Sequence, residues 1–209
     1  MQAQAFDPAI IFYIAILIMS AVIHEVSHGM AAFMLGDPTA KNADRLTLNP
    51  IKHLDMFGSI ILPLIFIITN APFFFAYAKP VPYNPYNLKN QRWGPAIVGI
   101  AGPAANIFIG ILFAIIFRIS GSYATFSNLI FAIVQINIWL ALFNLVPIPP
   151  LDGSKLLFSL LPPRFYNLEA FMEQYGFFIL IILIFILPGI LFVPLGGLAS
   201  IILRLLVGS

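Results

Sequence analysis

IMSAVIHEVSHGMAAFMLG, residues 18–36, places two histidines and a glutamate inside an otherwise apolar run. At the centre of a membrane helix an acidic or basic residue costs about 2.5–3.5 kcal/mol on insertion scales. A segment that bears such a cost is expected to hold those groups for chemistry.

Composition decides the solvent. Apolar residues make up 61% of the 209 and charged residues 9%, with a mean hydropathy of +1.00. Soluble domains run near ~25% charged, so the chain reads as an all-α polytopic membrane protein. The net charge of +2 comes with no basic run, which argues against nucleic acid as a partner. Cysteine is absent, which removes disulfides, thiolate metal sites and cysteine nucleophiles. The start, MQAQAFDPAIIFYIAILIMS, has no positive n-region and no cleavage-like motif, so it is expected to be a retained helix.

A membrane crossing needs about 20 mostly apolar residues. Core helices are expected over about 8–35, 95–117 and 125–146, within a single membrane domain over 1–209. A broken apolar region at 176–206 is interrupted by Pro188–Gly189 and by Pro194 to Gly197, giving one crossing plus an interfacial helix or two short crossings. Lys41, Arg45, Lys52, Lys79, Lys89, Arg92, Lys155 and Arg164, eight of the ten cations, become cytosolic if the first helix runs inward from an outside N-terminus. The stretch 58–78 then begins and ends beside cytosolic cations. With Pro63 and Asn70–Ala71–Pro72 breaking it, it reads as a re-entrant or interfacial hairpin in the helical bundle.

His24, Glu25 and His28 form H-E-x-x-H. Positions four apart share a helix face, so both imidazoles can reach one metal while Glu25 approaches its open side. A third ligand must come from elsewhere. Asp37, Asp44, His53 and Asp55 belong to a polar stretch and read as solvated loop residues. Glu169 and Glu173 fall on LEAFMEQY, an expected interfacial helix. Asp152, in FNLVPIPPLDGSK, follows an inward-running helix ended by Pro147, Pro149 and Pro150. A loop Asp capping the next helix is the plain alternative, but depth favours a ligand. His24 lies roughly 24 Å along the first helix in a layer about 30 Å thick, near the face where the fourth apolar region also arrives.

HEVSH, AGPAAN ending at Asn106, and NLVPIPPLDG resemble three elements of the site-2 protease family of intramembrane zinc metalloproteases. KHLDMFG and KPVPYNPYNL resemble its small prokaryotic branch without PDZ or CBS domains. The resemblance implies one Zn2+ per chain held by His24, His28 and Asp152, Glu25 as general base, and cleavage of transmembrane segments of other proteins within the bilayer of the cell membrane. Asn144 is expected to hold substrate backbone or the developing oxyanion, with an interhelical hydrogen bond as its alternative role. Asn106, beside Gly99, Gly102 and Ala105, reads as close helix packing. AKPVPYNPYNL cannot be α-helical, and reads either as a strand edge for the substrate or as a linker. An ion or metal transporter is the competing function, disfavoured because AIIFYIAILIM offers no polar step through the outer half of the first helix.

Overall fold

The computed structural model describes residues 9–55, 61, 65, 68, 79–119 and 124–208. Six helices carry most of them: α1 (Ala9–Met34), α2 (Gly94–Ile119), α3 (Ala124–Asn144), α4 (Gly153–Leu160), α5 (Tyr166–Phe185) and α6 (Pro188–Val207). No strand occurs among the described residues. The all-helical expectation holds, and the three core helices match to within a few residues. The hairpin expected at 58–78 lies outside the described residues apart from single positions.

Local chemistry sets the helix ends. Gly36 follows α1 with φ +106, the left-handed geometry glycine adopts without a Cβ penalty. Around it Asp37 N–H donates to Ala32 and Gly36 N–H to Phe33, capping the last carbonyls. Pro188 opens α6 in its first turn, where a missing N–H costs nothing. Pro194 lies inside α6 and does not end it, so the second break expected at 194–197 does not occur.

Contacts along the helices give their directions. His28 meets Val98 while Ser20 meets Asn106, so α1 and α2 run antiparallel. A Cβ on Gly110 would sit 2.9 Å from Ile138, and Phe117 faces Phe131 at 6.2 Å, so α3 returns antiparallel to α2. Leu191 packs with Leu151 at one end of the bundle, and Ala199 packs with Ala114, Val134 and Ile138 further along. Arg118 at the end of α2 donates to the Leu205 and Leu206 carbonyls at 2.5 and 2.7 Å. Helix α6 therefore runs parallel to α2.

Five helices are long and apolar enough to cross a membrane, yet these contacts carry only α1, α2, α3 and α6 from face to face. Helix α5 keeps to one face. Its first turns share a cavity with Tyr83 and Arg92, Gly176 abuts Pro149, and Leu180 joins Leu151 and Leu191. That face, where α1 ends and α2 begins, carries the eight cations named above and is called the basic face below.

The polarity is inside out. Phe108, Phe178 and Leu205 are 61–72% exposed, whereas Asn106 and Asn137 are 0% exposed. Apolar side chains face outward and amides inward, as lipid requires.

Candidate metal centre

Helix α1 delivers His24 and His28 to its α2-facing side, with ring centroids 4.6 Å apart and planes at 87°. The loop after α3 brings Asp152 between them. Its Oδ2 lies 3.0 Å from His24 Nε2 and 3.0 Å from His28 Nε2. All three residues are buried. The Asp152 side chain makes no capping bond to α4, so the capping alternative fails. A Cβ on Gly153 would overlap the Leu145 carbonyl, so glycine lets this loop fold tightly enough to present the carboxylate.

The far nitrogen of each ring is tied to an oxygen. His24 Nδ1 lies 2.6 Å from Asn106 Oδ1, and His28 Nδ1 lies 2.6 Å from the Val98 carbonyl. A carbonyl oxygen only accepts, so Nδ1–H donates in both rings and each Nε2 keeps a lone pair. Two lone pairs then face a carboxylate oxygen, which is repulsive unless positive charge lies among them. Two imidazole nitrogens and one carboxylate, each ring braced by a carbonyl acceptor, are the donor set of an open zinc site.

Helix α2 leaves room for that ion. A Cβ on Gly102 would sit 2.5 Å from His28 Nε2 and 2.6 Å from His24 Nε2. The glycine is an opening beside the two ligand atoms rather than a packing convenience. Asn106 likewise does more than pack. Its Nδ2 donates to the Ser20 carbonyl and to Asn137 Oδ1, while Asn137 Nδ2 donates to Ser20 Oγ and the Ile133 carbonyl. This network fixes which atom of Asn106 faces His24. The sequence reading took Gly102 and Asn106 for helix packing and passed over Asn137. An amide in an apolar helix was the available signal, and for Asn137 it went unused.

Glu25 lies with the histidines, the ligand atoms of the three within 4.8 Å of one another. Its Oε2 accepts the Val81 N–H at 2.8 Å. Pro80 and Pro82 have no N–H, so Val81 is the single backbone donor of this tripeptide. The segment is clamped on both sides. Arg45, 8% exposed, donates to the Lys79 and Pro80 carbonyls at 2.7 and 3.4 Å, and Lys79 N–H donates to the His53 carbonyl. Asp37 accepts from Asn84 N–H and Asn87 Nδ2. In this conformation 79–84 braces the site, and a 3-10 turn follows at Pro85–Asn87.

Asp37 and His53 are therefore not solvated: they are 0% and 1% exposed. For Asp37 the sequence reading missed this because two of its partners, Asn84 and Asn87, lie 47 and 50 residues away along the chain. Burial works to raise the Asp37 pKa, but hydrogen bonds from Thr39, Asn87 and Asn84 outweigh it and hold the carboxyl below its ordinary value. Burial works to raise the Asp152 pKa, and the Lys155 ammonium on Oδ1 works against it. Lys155 donates to Asp152 Oδ1 at 2.9 Å, leaving Oδ2 for the histidine side. Asn144, the last residue of α3, donates one amide hydrogen to the Leu140 carbonyl, a bond within its own helix.

Comparisons with known proteins find relatives along most of the chain. The profile of a family described as peptidase family M50 matches residues 120–187. The Bacillus subtilis protein named "Putative zinc metalloprotease YwhC" is 37% identical over 186 residues, covering 85% of this chain and 81% of its own length. Rip2 of Mycolicibacterium smegmatis, described in the same terms, is 30% identical over 83% of this chain and 66% of its own. The zinc metalloprotease MJ0392 of Methanocaldococcus jannaschii is 24% identical over 74% of this chain and 36% of its own. No solved structure matches significantly.

Proposed function

The chain belongs to peptidase family M50, and from that premise we propose that it is an intramembrane zinc endopeptidase, acting as one membrane domain over 1–209, that hydrolyses peptide bonds in the transmembrane segments of other proteins. His24, His28 and Asp152 hold the ion, and Glu25 is the general base. The observation that carries this is the meeting of both histidine Nε2 atoms on one Asp152 oxygen, 3.0 Å from each.

Zinc in such a site supplies Lewis acidity, making water acidic near neutral pH and polarising a carbonyl. The chain's own groups do the rest. Glu25 accepts a proton from the attacking water and returns it to the leaving amine. Val81 N–H holds Glu25 by Oε2, leaving Oε1 to handle the proton. Asn106 and the Val98 carbonyl keep both imidazoles in the tautomer that presents Nε2. Asn144 has a second amide hydrogen beyond the one on Leu140, and offers it to the substrate backbone. A peptide bond within a helix is shielded by its own hydrogen bonds, so the substrate unwinds before it reacts.

Orientation follows from charge. The eight cations of the basic face support an orientation with that face in the cytosol and the N-terminus outside the cell membrane, the catalytic cluster lying toward the cytosolic ends of α1, α2 and α3. In that orientation the end of α6, beside Arg118, lies at the outer face.

The protein reconstituted with a panel of single-span substrates tests the reading. Cleavage should appear for some substrates, vanish on zinc removal by a chelator, and return with zinc but not magnesium. Cleavage indifferent to metal removal, or none by zinc-loaded protein across the panel, would overturn it.

A further inference from the structure

A cavity of about 500 Å³ opens on the basic face between 83–95, α4 and the first turns of α5. Tyr83 and Lys155 line it, and the Lys155 ammonium, 5.4 Å from the Tyr83 ring centroid, reaches Asp152 Oδ1 at 2.9 Å. One side chain thus separates the cavity from a proposed metal ligand. Rings line its walls: Tyr83, Phe158, Pro162 and Tyr166.

Charge is divided within it. The two cations on its lining are engaged, Lys155 by Asp152 and Arg92 by the Ser159 carbonyl and the Trp93 ring. Glu169 and Glu173, one turn apart on α5, also line it, and among the described residues no ammonium or guanidinium lies within 4.0 Å of either. The chain thus builds a peptide-sized trough that starts at the catalytic cluster and carries two uncompensated carboxylates on one wall.

Transmembrane segments carry an excess of Lys and Arg just beyond their cytosolic ends. We propose that this cavity seats the cytosolic flank of the substrate, and that Glu169 and Glu173 select flanks bearing Lys or Arg. The inference rests on the intramembrane protease reading and adds a specificity subsite to it. With the scissile bond at Glu25, the flank lies in the trough over the rings and prolines, and its cations reach α5. Exposed charge pairs act mainly on capture, so selection enters through KM.

Swapping charge tests it. A single-span substrate with two flanking lysines is compared with the same substrate carrying two glutamates, using wild type and the double variant Glu169→Lys, Glu173→Lys. Wild type should prefer the lysine flank by about fivefold in kcat/KM, the scale of two exposed ion pairs. The double variant should reverse that order, keep its zinc, and lose its reversed preference in high salt. If the flank preference is the same in both proteins, or absent in wild type, the subsite is wrong while the protease stands. If zinc-loaded wild type cleaves neither substrate, the protease reading falls and the subsite with it.

Discussion

Glu25→Gln should keep a full complement of zinc and lose cleavage by about 10²–10⁴-fold, the range expected when general-base catalysis is removed. The substitution isolates one property. Gln fills the same space, and its amide oxygen can still accept the Val81 N–H, now made to Glu25 Oε2 at 2.8 Å. The neighbouring His24 and His28, the proposed ligands, keep their own braces on Asn106 and Val98. What disappears is the ability to take a proton from water. Metal analysis and cleavage by the same reconstituted preparation read the two effects separately. Activity near wild type would remove Glu25 from its role; loss of zinc together with activity would make it a structural element of the site.

Gly102→Ala should abolish or sharply reduce zinc binding while leaving the protein folded. The added methyl would stand 2.5–2.6 Å from the two Nε2 atoms, closer than non-bonded atoms approach, so α2 or the histidines must shift. A displacement of about 1 Å at a catalytic constellation costs about 100-fold in rate. Intrinsic propensity works the other way: Ala is better than Gly in a helix by about 1 kcal/mol, so unfolding is not the expected route to inactivity. Gly197→Ala on α6 is the matched control, because a Cβ there meets nothing within 4 Å. It should retain zinc and activity. Wild-type zinc affinity in Gly102→Ala would show that the opening in α2 has no part in the site.

How much of this the sequence carried depends on the range of the interaction. The apolar runs of α1, α2 and α3 and the breaks after them are local, and so they were legible. H-E-x-x-H is local as well, since helical spacing alone aligns His24 with His28. Asp152 lies 128 positions from His24 and was reached because depth in a membrane is a coordinate the sequence carries. Other features have no such ruler. Val81 on Glu25, Arg45 on Lys79 and Pro80, and Asp37 on Asn84 and Asn87 depend on the path of one irregular segment, and no periodicity encodes it. Gly102 was read as packing because a small residue is small for either reason; only the position of the imidazoles distinguishes them. Helix α5 was ambiguous on composition, since GFFILIILIF is apolar enough for lipid. Its packing on Pro149 and Leu151 determines where it lies.

X-ray absorption at the zinc edge is the most direct test of the proposed centre, recorded on wild type and on Asp152→Ala loaded under the same conditions. The wild-type first shell should contain two imidazole nitrogens and a carboxylate oxygen at about 2.0–2.2 Å, and the variant should lose that carboxylate contribution together with most of its zinc. An identical shell and an undiminished zinc content in Asp152→Ala would contradict the assignment, because the aspartate between His24 and His28 would then not be a ligand.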